Sequence, residues 1–142
     1  MAIFERVSRV YWNETDAAQI SHFSSYFKYC EETEEEFFNQ RLGVRWRPGD
    51  IMFPRVHASC NYMAPLRAHD RYKVEITEIT VGRKSMTFKY RIHNLELNRQ
   101  AAECEIATVA IDPATFKSVE IPKELVDSLL EQGAKLRETN KE

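Results

Sequence analysis

Long apolar runs are missing from this 142-residue chain, which nowhere offers the ~18–20 consecutive apolar side chains of a membrane-spanning helix. Glycine (4) and proline (5) are scarce, and that excludes a low-complexity or linker-like chain. A surplus of one charge is missing too. Lysine and arginine (20) nearly balance aspartate and glutamate (22), so a net charge of −2 exerts no long-range pull on nucleic acid. Met1 to Arg6 lack the basic-then-apolar order of a signal peptide. The three cysteines (Cys30, Cys60, Cys104) form no C-x-x-C pair, and the four histidines show no metal-ligand spacing. A metal-free, cofactor-free cytoplasmic protein is expected, with no nucleic-acid or membrane partner.

The patterns that are present describe an α+β domain over residues 1–142. Residues 3 to 12 suit a strand, and a polar stretch from Asn13 to Asp16 follows. From about Ser21 to Leu42, Phe23, Tyr26, Phe27, Cys30, Thr33, Phe37 and Phe38 recur at three- and four-residue spacing. This predicts a helix of about 30 Å at ~1.5 Å per residue, long enough to be central. The run Glu31, Glu32, Glu34, Glu35 and Glu36 reads as its exposed face, and Gly43 as its stop. Four strands are expected afterwards: Phe53–Tyr62, one around Tyr72–Thr77, one around Met86–His93, and Ala101–Ile111. Val81-Gly82-Arg83-Lys84 makes a hairpin connection, and Asn98 turns the chain before the last strand. Pro122 opens a C-terminal helix to about residue 137, followed by a charged tail to 142. Consecutive strands with short links pair antiparallel, so the design is a sheet wrapped around one helix.

Chemistry concentrates at Asp16, a short carboxylate among small residues just before that helix. A helix N-terminus presents unpaired N–H groups and a positive dipole end, which can polarise a carbonyl as its oxygen becomes negative. A neighbouring carboxylate can then act as nucleophile or general base. Asp16-x-x-Gln19 also has the form of a capping box, a purely structural role. Ser24 and Ser25 have no adjacent acid–base pair that would make either a triad nucleophile.

Across residues 5 to about 122, a set of motifs occurs in a telling order. Thr15-Asp16-Ala17-Ala18 precedes His22-Phe23-Ser24-Ser25-Tyr26-Phe27 and the glutamate-rich helix. Pro54-Arg55-Val56-His57-Ala58-Ser59-Cys60, Tyr62-Met63-Ala64-Pro65-Leu66, His69-Asp70 and Val81-Gly82-Arg83-Lys84-Ser85 follow. The chain resembles the hotdog-fold acyl-CoA thioesterases of the 4-hydroxybenzoyl-CoA thioesterase type. That resemblance implies a metal-free hydrolase whose substrate is an acyl-CoA, with CoA entering only as part of the substrate. It implies Asp16 as catalytic nucleophile or base, the Phe23 N–H at the thioester carbonyl, and His22 as a nearby substrate- or water-binding group. Arg83, Lys84 and Ser85 suit the CoA phosphates, with Arg55, His57 and Arg67 as further candidates. Gln19 stands where the family typically has glycine. Phe23, Tyr26 and Phe27 offer pocket walls or plain core. A homo-oligomer, dimer or tetramer, is expected because the sheet leaves exposed edges and the family's pocket forms between subunits. Two other functions fit the same fold: a non-catalytic acyl-CoA or acyl-carrier binding module, and a dehydratase using a histidine such as His57 with a second acid.

Overall fold

The computed structural model describes residues 2–137. Its elements are β1 (Phe4–Arg9), α1 (Ser25–Leu42), β2 (Arg55–Tyr62), β3 (Arg71–Val81), β4 (Ser85–Asn94), β5 (Arg99–Val109), α2 (Lys123–Glu131) and β6 (Lys135–Leu136). The first five strands form an antiparallel sheet in the order β1-β3-β4-β5-β2, and β6 adds a short parallel pairing to the end of β3.

Alternation decides which face of the sheet meets the helix. Tyr72, Val74, Ile76, Ile79 and Val81 of β3 are buried, as are Met86, Phe88, Tyr90 and Ile92 of β4. A bulge between Ile76 and Glu78 keeps β3 in phase along its eleven residues. The opposite face is polar and matched across strands, with Glu75 opposite Arg91, Arg91 opposite Glu103 and Lys89 opposite Glu105.

Helix α1 crosses the apolar face because Tyr26, Tyr29, Cys30, Thr33 and Phe37 repeat at helical spacing and are buried. Arg6 of β1 fixes its position. The guanidinium donates to Thr33 Oγ1 (3.0 Å), the Tyr29 carbonyl (3.2 Å) and Tyr72 Oη (3.0 Å), and pairs with Glu32. Gly43 ends the helix in the left-handed region, as the sequence predicts, and its N–H reaches the Asn39 carbonyl.

Strand β2 begins at Arg55, not Phe53, and β5 runs Arg99–Val109, not Ala101–Ile111; three other boundaries differ more from the sequence reading. Helix α1 begins at Ser25 instead of Ser21, so Phe23 lies outside it and is 62% exposed while Tyr29 takes a core position. Ile20 and Ser21 are instead held in antiparallel bridges to Arg67 and Thr15, which keeps the chain extended up to the turn before the helix. Strand β1 ends at Arg9 and a 3₁₀ turn over Trp12–Glu14 follows. At the far end, α2 stops at Glu131, Gly133 adopts φ +110°, and Lys135–Leu136 pair with Thr80–Val81 instead of continuing a helix. The charged tail beyond 137 lies outside the described residues.

Candidate active site

The segment from Val10 to Ser24 carries Asp16 to the start of α1 as a closed loop. Val10 is tied to the 69–70 turn, where its N–H reaches the Asp70 carbonyl (2.9 Å) and its carbonyl accepts the His69 N–H (2.7 Å). Thr15 bridges Ser21, Ile20 bridges Arg67, and the His22 N–H reaches the Glu14 carbonyl (2.8 Å). Asp16 thus occupies a turn inside the loop, not the helix cap. Its carbonyl accepts the Gln19 N–H (2.8 Å), its own N–H reaches the Ile20 carbonyl (2.9 Å), and its Oδ1 accepts the Ala18 N–H (2.9 Å). Among the described residues Oδ2 has no donor, and the residue is exposed.

Gln19 accounts for its own substitution. It is exposed with φ +64°, the left-handed conformation that glycine adopts freely and other residues adopt at a cost. The side chain swings outward and does not narrow the loop. Gln19→Gly is expected to stabilise the protein by roughly 0.5–1 kcal/mol, the left-handed cost less glycine's extra chain entropy. A rise of about 1–3 °C in melting temperature would show it, and a fall would mean that the Gln19 side chain supports the loop.

The capping role assigned to Asp16 belongs to His22. Its Nδ1 accepts the Ser24 N–H (3.2 Å), so this nitrogen is unprotonated and takes the Ser24 hydroxyl as a donor (2.8 Å). The His22 carbonyl accepts the Ser25 N–H (2.8 Å). Between these commitments the Phe23 N–H reaches no protein acceptor among the described residues. The Phe23 carbonyl takes the Tyr62 hydroxyl from β2 (2.9 Å). A donor is therefore held ready at the positive end of an 18-residue helix, one loop away from a carboxylate.

Glu14, which no sequence motif singled out, holds this loop. Its carboxylate accepts the Tyr11 N–H (2.9 Å), the Tyr29 hydroxyl (3.0 Å) and Lys28 Nζ (2.8 Å). Burial alone would raise its pKa, yet the three donors outweigh it and hold the carboxyl below the usual range. A depressed carboxyl stabilises the fold at pH values above its unfolded pKa of ~4.3 and loses that effect as pH falls through the folded value. Glu14→Gln is expected to cost about 1 kcal/mol at pH 7, after screening at the half-exposed Lys28, and to flatten the loss of stability below about pH 4.5. Urea melts at pH 7 and pH 3.5 test this, and parallel pH curves for the two proteins would refute it.

The other residues named from sequence fall into three places. Arg55 and His57 lie on β2, and Arg55 is doubly engaged, with Glu34 (3.0 Å) and Glu31 (3.2 Å). His57 is exposed opposite Ala107 and forms no ion pair among the described residues. Glu34 corrects the reading of the glutamate run as a solvated face. Its carboxylate is largely buried under Arg55 and the Tyr90 hydroxyl (2.8 Å), and burial pushes its pKa up against their pull. Arg83, Lys84 and Ser85 form the β3–β4 turn, where Arg83 pairs with Glu120 (3.5 Å) and Ser85 Oγ accepts Arg137 (2.8 Å). Arg67 lies at the bridge to Ile20. The cysteines are free, and contact with Cys104, together with burial, holds the Cys60 thiol well above its usual range. A thiolate nucleophile is thus disfavoured there.

Comparison with known proteins completes the picture. Residues 10–129 match the thioesterase-like superfamily. The acyl-CoA thioester hydrolase YbgC of Escherichia coli is 32% identical over 130 residues, covering 87% of this chain and 93% of that protein. The 1,4-dihydroxy-2-naphthoyl-CoA hydrolase of Synechococcus elongatus is 28% identical over 132 residues, covering 89% and 93%. Among solved structures, a 1,4-dihydroxy-2-naphthoyl-CoA thioesterase from Synechocystis superposes with a TM-score of 0.82 at 23% identity, covering 90% of this chain and 96% of that one. With the long helix wrapped by its sheet and the loop of Asp16 at the helix entrance, the chain belongs to the thioesterase-like superfamily, as a hotdog-fold member of the acyl-CoA thioester hydrolases.

Proposed function

We propose that the protein hydrolyses an acyl-CoA thioester with Asp16 as the reacting carboxylate and the Phe23 N–H as the carbonyl donor. The observation that carries this reading is the pairing of an unengaged Asp16 Oδ2 with an uncommitted N–H at the start of α1. The thioester oxygen, polarised at Phe23, gains negative charge as Asp16 attacks the carbonyl carbon directly or deprotonates an attacking water. The C–S bond then breaks, and CoA departs as a thiolate that takes up a proton. After attack by water the free carboxylic acid is the second product; after direct attack the acyl group stays on Asp16 as a mixed anhydride, which a water molecule then hydrolyses to the free acid and the restored carboxylate. His22 fixes the first turn through Ser24, and its ring, tilted by 31°, is centred 4.5 Å from that of Phe23, so its part is to position the donor. Arg83, Lys84 and Ser85, with Arg137 beside them, are assigned to the CoA phosphates.

The reading includes a second subunit. Asp16 is open to water, and a carboxylate that is to attack a thioester gains from a dry, covered site. Strand β2 is an edge strand, exposed along almost its whole length, with Val56 61% and Tyr62 46% exposed. We assign the pairing of subunits to this edge, as a dimer or a tetramer of such pairs. Sedimentation at micromolar concentration is expected to give at least a dimer; a monomer alone would remove this part. Release of free thiol from a panel of acyl-CoAs tests the hydrolysis itself, and the absence of turnover on every member would leave a binding module instead.

A further inference from the structure

Two adjoining hollows lie between α1 and the β2 side of the sheet. The nearer, of about 300 Å³, starts at Ser24 and Phe27 and is lined by Lys28, Ala58 and Ile106. The farther, of about 390 Å³, has Phe38, Trp46, Met52, Phe53 and Met86 among its walls, with Arg47 and Asp50 also in its lining, where Asp50 Oδ2 accepts the Arg47 N–H (2.8 Å). Glu31 and Arg55 line both, so the two form one groove running from the helix entrance along α1. Phe38, Trp46 and Phe53 form a continuous aromatic wall at the far end, with ring centres 5.5 and 5.8 Å apart.

Two features decide what such a groove takes. The polar groups at its waist are already satisfied: Arg55 is held by Glu31 and Glu34, and Tyr90 donates to Glu34. At the waist the charges are thus matched to one another, which disfavours an ionic or strongly polar acyl substituent there. The far walls, by contrast, keep Trp46 and Met52 nearly half exposed, apolar surface that gains by being covered. Length supplies the second constraint. At ~1.5 Å per residue Ser24 stands about 10 Å from the level of Glu31 and about 21 Å from that of Phe38. With C–C bonds of ~1.5 Å projecting to ~1.3 Å per carbon, an extended acyl chain reaches the waist at about eight carbons and the far wall at about sixteen.

We infer that the substrate is a medium- to long-chain alkyl acyl-CoA, of roughly ten to sixteen carbons by the same arithmetic, whose distal half lies in the Trp46 cleft. The inference rests on the hydrolase reading above and deepens it. A benzoyl or fused-ring acyl group ends in the nearer hollow and leaves the aromatic cleft empty.

The test uses the full chain and two readouts. The first is kcat/KM for saturated acyl-CoAs from butanoyl to hexadecanoyl and for benzoyl-CoA, below micellar concentrations. The expected result is a rise of at least ~10-fold between hexanoyl and dodecanoyl, since each buried methylene is worth up to roughly fourfold. Trp46→Ala is expected to lower that dodecanoyl-to-hexanoyl ratio about 10-fold or more. The second readout is a blue shift of Trp46 emission on adding dodecanoate to Trp12→Phe, which leaves Trp46 as the one indole, as alkyl carbon replaces water on the ring. Preference for benzoyl or short chains without the shift overturns the inference and leaves the hydrolase standing. The shift without turnover of any acyl-CoA overturns the hydrolase reading and leaves the cleft standing, and absence of both removes the two together.

Discussion

Asp16→Asn and Asp16→Ala are each expected to lower kcat by ~10²-fold or more on the best acyl-CoA, a loss of about 2.7 kcal/mol of transition-state stabilisation. The asparagine variant is the sharper of the two. Its amide oxygen can still accept the Ala18 N–H, as Asp16 Oδ1 does at 2.9 Å, so the turn from 16 to 19 keeps its geometry. What it loses is the negative charge and the nucleophilic second oxygen. A role in loop structure predicts a mild effect from asparagine and a strong one from alanine, whereas a role in attack predicts a severe effect from both. KM is expected to change little, because the carboxylate acts in the transition state more than in binding. Full activity in both variants, measured by thiol release, would move the chemistry away from this loop.

The largest effect on stability is expected at Phe37, where α1 meets the sheet. Its side chain is fully buried, with the rings of Phe38, Phe4 and Phe88 centred 5.6, 5.7 and 6.2 Å away. Phe37→Ala removes a whole aromatic from between strands and helix, and three rigid rings cannot collapse into the space. The expected cost is ~3–5 kcal/mol, of which the cavity forms part. For a chain of this length that lowers the melting temperature by roughly 10 °C. Phe37→Leu, which keeps much of the volume, should cost about 1.5 kcal/mol or less. Urea melts with an unchanged slope would report both, and a loss under 1 kcal/mol for alanine would mean that the core relaxes around the site.

The strands of the second half were legible because their signal is local. Tyr72, Val74 and Ile76, then Met86, Phe88, Tyr90 and Ile92, alternate with polar neighbours and are all buried. Asn98 was legible as a turn for a similar reason, and it adopts φ +53°. The entrance of α1 was harder. Helical spacing continues back to Ser21, but Ile20 and Ser21 bridge Arg67 and Thr15, and those pairings come from elsewhere in the chain. The same non-locality hid Glu14 and Glu34. One is defined by Tyr29 and Lys28, the other by Arg55 on β2 and Tyr90 on β4, partners that only the folded sheet brings together. Asp16 was visible at once as a residue of interest. Its place in a turn, and the transfer of the capping role to His22, were not.

The order of the strands also bears on how far assembly can go. A sheet with two equivalent open sides invites unlimited growth, one copy adding to the next into a fibre. Here the two sides differ. On one, β1 is only six residues long, carries Glu5, Arg6 and Arg9, and shares its flank of β3 with β6. On the other, β2 runs for eight residues with Arg55 its one arginine, lysine or acid. A copy that docks through β2 consumes the adhesive side of both molecules and leaves only the blunted sides outward. If subunits pair through β2 as proposed, sheet extension terminates at two chains, so that an exposed edge strand need not become a seed for aggregation.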